Sequence, residues 1–206
     1  MLHFVLESAM IYRPAILQPI EGAFVRLKEF TANNITDGYL KWLNDPVVVK
    51  YSNQRFIKHT RQTSFEYFET FTNTSNLLLA VYLKDQDRYV GTMSVYISNI
   101  HETADIGIMI GDRSCWGNGV GSDAWITIMK WLLDIVKIRK ITGGTLRCNV
   151  GMHRIMVNSG MLLDGVRIGQ EIADEEVQDI MHFAKFNRNW RIQVQNQTLI
   201  NCKKGG

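Results

Sequence analysis

Apolar and polar residues alternate over Phe24-Val25-Arg26-Leu27-Lys28, which predicts a short β-strand. Ile35, Tyr39, Leu40, Trp42 and Leu43 recur at helical spacing behind Asn33-Asn34, a candidate cap, and stop before Asp45-Pro46. The spacing makes Trp42 a core residue on the face of Tyr39 and Leu43. Thr60 is placed to cap a second helix carrying Phe65, Phe68 and Phe71. Two β-rich runs, Leu77–Leu83 and Tyr89–Ile97, flank the polar turn Lys84-Asp85-Gln86-Asp87-Arg88 and read as a hairpin. In Thr103–Ile110 the alternation sets Ile106, Ile108 and Ile110 on one face and Asp105, Gly107 and Met109 on the other.

The longest predicted helix follows. Its apolar stripe is Ala124, Ile128, Trp131, Leu132 and Ile135, opposite Asp123, Thr127, Lys130, Asp134 and Lys137. Then come a strand (Thr145–Val150), a short helix (Met152–Asn158) stopped by Gly160, and a closing hairpin. That hairpin runs Leu162–Ile172, turns at Asp174-Glu175-Glu176, and returns through Val177–Phe186. The element order predicts a mixed α/β sheet with helices on its faces. With 206 residues, the expectation is an N-terminal extension over 1–20, one domain over 21–190 and a polar tail over 191–206.

Composition adds mostly exclusions. The chain is 46% hydrophobic and 21% charged, which excludes disordered and disulfide-scaffold classes. A net charge of +3 does not predict nucleic-acid binding. Cys115, Cys148 and Cys202 cannot all pair and show no metal-ligand spacing, so reduced thiols, no metal and a cytoplasmic location are expected. His3 and Glu7 interrupt the apolar start, so a signal peptide is not expected, and no run is long enough to span a membrane.

The informative segment runs from Ile108-Met109-Ile110 through Trp116-Gly117-Asn118-Gly119-Val120-Gly121-Ser122 into the amphipathic helix. Glycines allow close backbone approach, and the first helical turn offers free N–H groups that suit a pyrophosphate. Alone, such a loop is also a plain strand-to-helix turn. Its spacing fits neither a dinucleotide fingerprint nor a P-loop.

Here the sequence resembles the GNAT superfamily of acetyl-CoA-dependent N-acetyltransferases, whose signature is Arg/Gln-x-x-Gly-x-Gly/Ala. Trp116-Gly117-Asn118-Gly119-Val120-Gly121 matches, with Trp at the first position, as in the ribosomal-protein alanine acetyltransferase branch. Asn149, Arg154, Ile155 and Gly160 match that branch's second pattern, with Met161 replacing Phe. The resemblance covers roughly residues 22–190. Tyr39–Pro46, Tyr51, Arg55-Phe56 and His101–Ile108 are similar to family members that acetylate nucleotide-linked amino sugars.

The resemblance implies a mostly antiparallel sheet splayed at its fourth strand, Thr103–Ile110, with Gly107 as the place for a bulge. It implies acetyl-CoA as co-substrate, with its pyrophosphate on the backbone of Gly117 to Ser122 and its pantetheine along Met109 and Ile110. A free N–H near Met109 would face the thioester oxygen, and Asn149 would reach the pantetheine amide. Trp116, Asn118, Val120 and Gly121 complete the expected cofactor set.

A base is also required. His101 and Asp105 are the first candidates, Glu102 lies between them, and Glu171 is a third; each also reads as an ordinary surface or edge residue. Met156 occupies the position where many relatives carry a proton-donating Tyr, so the thiolate is expected to leave unaided. Cys115 and Cys148 lack an evident base partner, so no acyl-enzyme is expected. Tyr51 and Arg55 are the substrate-side candidates, Arg55 for a phosphate or carboxylate.

Residues 47–63 hold Lys50, Arg55, Lys58, His59 and Arg61 and no Asp or Glu, which favours a small anionic amine. The competing readings are a protein N-terminal acetyltransferase and a non-catalytic acyl-CoA-binding module. The oligomeric state is open, a homodimer among the options.

Overall fold

The computed structural model describes residues 12–188. The apolar start, Cys202 and the basic end at Lys203-Lys204 lie outside the described residues. The elements are β1 (Ile20–Glu21), β2 (Val25–Glu29), α1 (Asp37–Leu43), α2 (Arg61–Glu69), β3 (Leu77–Leu83), β4 (Arg88–Ser98) and β5 (Thr103–Ile110). They continue with α3 (Val120–Lys130), β6 (Lys140–Leu146), α4 (Val150–Asn158), β7 (Leu162–Ala173) and β8 (Glu176–Phe186). Eight strands form one sheet in the order β1-β2-β3-β4-β5-β6-β8-β7. Every pairing is antiparallel except β5 with β6. This is the expected α/β architecture.

The two sheet faces carry separate apolar clusters, as the strand period of two requires. Leu27, Leu79, Val81, Met93, Val95 and Ile106 pack with Ala124, Trp125, Ile128 and Leu132 of the α3 segment. On the other face Leu78 and Ala80 pack with Phe30, Tyr39, Leu43 and Phe71, joined by Trp42, Tyr89 and Met109. Trp42 is therefore a packing residue, as its spacing predicts.

Several boundaries differ from the sequence expectation. The α1 cap is Thr36, whose hydroxyl accepts from the Tyr39 N–H at 3.1 Å. Asn34 instead folds back on Thr31, accepting from its N–H at 2.9 Å, and donates to the Tyr82 hydroxyl at 2.8 Å. Thr60 does cap α2, in a reciprocal box with Thr63. The long helix changes to a π-turn over Trp131–Ile135, which rotates Ile135 out to solvent and spoils the simple stripe. Thr127, expected on the polar side, is buried. Asp123 accepts from the N–H groups of Ala23, Phe24 and Val25, tying α3 to the start of β2.

The sixth strand lies earlier than Thr145–Val150. Gly143, mid-strand in β6, faces the Trp125 ring, where a Cβ would fall 2.9 Å from an indole carbon. Here glycine makes room for an aromatic side chain rather than ending a strand. Ahead of β2, Pro14 is buried, Ile16 and Ile20 pack on the core, and Arg13 pairs with Glu29.

Candidate active site

The β5–β6 junction defines the site. The two strands pair in register only from Thr103–Asp105 against Lys140–Thr142. Beyond Asp105 they diverge, so Ile106 to Ile110 have a neighbour only in β4. The β4–β5 ladder is unbroken from Ser98↔Thr103 to Gly91↔Ile110. Gly107 is therefore not a bulge. It pairs with Ser94, whose hydroxyl would lie 2.8 Å from an added Cβ. The splay comes from loss of the parallel partner.

Alternation decides which backbone groups face this gap. The Gly111 N–H donates to the Val90 carbonyl at 2.9 Å, on the β4 side. In an antiparallel ladder, residues two apart point the same way, so the Met109 backbone also faces β4, opposite Thr92. Ile106, Ile108 and Ile110 face the gap. The Ile110 carbonyl confirms the assignment, for it accepts from the Trp116 indole N–H at 2.8 Å. The free N–H groups expected near Met109 thus belong to its neighbours Ile108 and Ile110.

A cavity of about 1200 Å³ opens through the gap. Ile108, Ile110, Trp116, Gly117, Gly119, Val120 and Gly121 line one lobe, with Asn149 across the opening. Gly117 and Gly119 adopt φ of 77° and 81°, and a Cβ at either would meet nothing within 4 Å. Their side-chain positions are thus open space over the start of α3. Gly119 is the α3 N-cap, so the N–H groups of Val120, Gly121 and Ser122 lack helical partners. This cradle fits a pyrophosphate. Asn118 and Ser122 belong to the same turn but do not line the cavity, and the Asn118 amide donates to the Ser114 carbonyl.

Asn149 does more for the fold than expected. Its side-chain oxygen accepts from the Met152 N–H at 3.2 Å, capping α4, and its amide donates to the Thr145 hydroxyl at 3.0 Å. Met156 is buried beside the cavity and offers no proton. Cys115 and Cys148 both line the cavity as free thiols.

The second lobe lies on the Met109 face of β5. Tyr39, Leu43, Val47 to Ser52, His59, Ser64, Tyr67 and Tyr96 form it. The Tyr67 and Tyr96 hydroxyls share a hydrogen bond at 3.1 Å. Burial, reinforced by Tyr96, pushes the Tyr67 phenol well above its ordinary range, and burial alone pushes Tyr39 up to about 12. Tyr51 lines this lobe, its ring under Lys50.

The remaining candidates lie elsewhere. His101 sits on an exposed turn before β5, its carbonyl accepting from Arg139. Thr103 and Ile110 are separated by roughly 23 Å of strand, so His101 is at the far end from the glycine loop. Glu102 shares that turn. Asp105 shares the Met109 face but accepts from the Thr142 hydroxyl at 2.6 Å and does not line the cavity. Desolvation raises its carboxyl, against the opposing influence of Thr142 and His182.

Arg55 is held away from the cavity: it donates to the Ile172 carbonyl at 3.0 Å, pairs with Glu171 at 3.6 Å and lies over the Phe56 ring. Glu171 is engaged there and with Asn53. The basic cluster of 47–63 is largely neutralised, because Lys50 pairs with Asp174 and Arg61 with Asp37. Spacing could not reveal these partners, which come from β7–β8 and α1.

Comparison with known proteins agrees with this geometry. The family model described as an acetyltransferase (GNAT) domain matches residues 25–162. The chain is 23% identical over 112 residues to the Bacillus subtilis protein named Probable N-acetyltransferase YjcK, a match covering 53% of this chain and 61% of that one. The fold superposes on the Vibrio cholerae spermidine N-acetyltransferase solved with CoA and spermine, with a TM-score of 0.73 at 14% identity, covering 81% and 97% of the two chains. It also superposes on the ribosomal-protein-S5-alanine acetyltransferase of Vibrio fischeri, with a TM-score of 0.68 at 14% identity, covering 84% and 98%. With the splayed β5–β6 pair and the glycine cradle in place, the chain belongs to the GNAT acetyltransferase family.

Proposed function

We propose that this chain moves an acetyl group from acetyl-CoA to the primary amine of a hydroxyl-rich small molecule of the amino-sugar class. The acyl donor's phosphates fit the N–H groups of Val120 to Ser122, and its extended arm fits the unpaired edge of Ile106 to Ile110. The chemistry is amide formation. The amine nitrogen bonds to the acetyl carbon, the C–S bond breaks, sulfur leaves as thiolate, and the nitrogen loses one proton. In this reading an N–H of Ile108 or Ile110, on the edge without a strand partner, takes the negative charge that develops on the carbonyl oxygen. Direct transfer needs neither Cys115 nor Cys148.

The acceptor reading rests on one observation: no carboxylate lines the cavity among the described residues. A polyamine or a basic peptide terminus carries cationic nitrogens beyond the reacting one, and their recognition calls for acidic partners. This lobe instead offers the hydroxyls of Thr63, Ser64, Tyr67, Tyr96, Thr92 and Ser94. The Ser64 hydroxyl is buried without a protein partner, an unmet group that a ligand hydroxyl would satisfy. Because Lys50, Arg55 and Arg61 are paired, hydroxyl recognition carries the reading rather than positive charge.

The test is thiol release from acetyl-CoA with free amino sugars, nucleotide-linked amino sugars, spermidine and short peptides. Release with the amino sugars supports the proposal, and the first two arms separate the neutral from the anionic form. Release only with spermidine or peptides contradicts it.

A further inference from the structure

We infer that His59 is the proton acceptor for the attacking amine. This deepens the acetyltransferase reading above and rests on it. The sequence counts His59 only as part of a basic run, but the structure gives it a fixed place in the acceptor lobe.

Three contacts hold it. Asn44, at the end of α1, accepts from the His59 N–H at 3.0 Å and donates to the His59 carbonyl at 2.9 Å. One side chain thus clamps both backbone groups of one residue. The ring is held separately, with Nε2 lying 3.2 Å from the Gln54 carbonyl oxygen. A carbonyl only accepts, so Nε2 must carry the hydrogen. The neutral ring then has its lone pair on Nδ1. An imidazole whose N–H is fixed by an acceptor and whose other nitrogen is a free base is the arrangement general-base catalysis needs.

The clamp also anchors His59 at the correct end of β5. Asp45, next to Asn44, pairs with Arg113 at 3.7 Å, three residues past the end of that strand. Trp42 of the same helix packs on Gly111, one residue past it. Helix α1 is therefore fastened to the end carrying Ile108 and Ile110, and Asn44 brings His59 with it.

The other ionisable groups lining the cavity suit the task less. Tyr39 of α1 and Tyr67 of α2 are held protonated by burial. Tyr96 of β4 shares its hydroxyl with Tyr67. Lys50 is kept cationic by Asp174, with Tyr51 beside it. Cys115 and Cys148 also line the cavity as free thiols, Cys148 within electrostatic reach of Lys50, and neither has a base beside it. Lys58 and Arg61 neighbour His59 in the chain, Arg61 being paired with Asp37. In the reaction, the proton leaves the nitrogen as it bonds to the acetyl carbon and passes to Nδ1, directly or through one water.

Two measurements test this. The first is 15N NMR of the His59 ring in the wild-type protein, which needs no variant. The expected neutral tautomer is protonated at Nε2; protonation at Nδ1 overturns the inference. The second compares kcat/KM against pH for wild type and His59→Gln on the amine that supports thiol release.

Glutamine keeps a donor for the Gln54 carbonyl and leaves the backbone clamp intact, and an unchanged thermal midpoint checks folding. The variant should lose about a hundredfold in kcat near neutrality, with KM for acetyl-CoA unchanged. The loss should shrink at high pH and with less basic amines, which arrive already deprotonated. Full kcat with an unchanged profile overturns the role of His59 and leaves the acetyltransferase reading standing. Absence of thiol release by wild type with every amine overturns both.

Discussion

Trp42 lies against the backbone of Gly111, so closely that a Cβ at Gly111 would overlap three atoms of the indole. The contact joins α1 to the chain leaving β5 and helps set the height of the acceptor lobe above the splay. Gly111 is needed here for close approach; its φ is not in the left-handed region. Gly111→Ala is therefore expected to destabilise the fold by about 1–3 kcal/mol through overpacking. Thermal unfolding checks this, with a drop of roughly 2–4 °C per kcal/mol for a chain of this size. Gly111→Ala combined with Trp42→Leu should recover part of the loss. An unchanged midpoint in the single variant would show that the indole moves aside freely.

Asn149 separates structural from ligand roles. Its oxygen caps α4, so Asn149→Ala should cost about 0.5–2 kcal/mol of stability. Asn149→Asp keeps the acceptor and should restore most of the stability. If acetyl-CoA affinity follows stability across the two variants, Asn149 acts through the helix. If Asn149→Asp is stable but binds poorly, the amide itself contacts the ligand.

A pH dependence of stability follows from His153. Its ring lies edge-on to Phe183, and its Nε2 is buried without a partner. Burial lowers its pKa below the ordinary value, Arg147 adds to this, and the Leu146 carbonyl opposes it. The unfolded chain therefore takes up the proton first as pH falls. The contribution to stability is complete above about pH 6.5 and is lost progressively below it, until the folded form also protonates. Urea unfolding at pH 7.5 and 5.0 should show the lower midpoint at pH 5.0, and His153→Phe should flatten the difference. An equal or larger pH effect in His153→Phe would assign it to other groups.

The sequence was most legible where the pattern is local. The alternation of Thr103–Ile110 gave β5 to the residue, and the glycines at 117 and 119 marked the turn into α3, because a positive φ leaves its trace in residue type. Legibility failed where a long-range partner decides the role. The strand expected from Thr145 in fact begins at Lys140 and carries Gly143 against Trp125, and Arg55 reads as an anion site until Glu171 and Ile172 claim it. His101 and Asp105 drew notice by adjacency to the strand, yet neither reaches the cavity. His59 showed in the sequence only as part of a basic run. Its placement depends on Asn44, fifteen residues away, clamping it from the end of α1.

The central claim is that acetyl-CoA binds the cradle at the start of α3. Titration calorimetry with acetyl-CoA, comparing wild type with Gly119→Glu, tests it most directly. The Gly119 position opens into the cavity, so the new side chain has space but brings negative charge to the phosphate site and sits at φ 81°. Wild type should bind, and Gly119→Glu should bind at least roughly tenfold more weakly while remaining folded. Equal affinity in the two proteins, or no binding by wild type, would contradict the account.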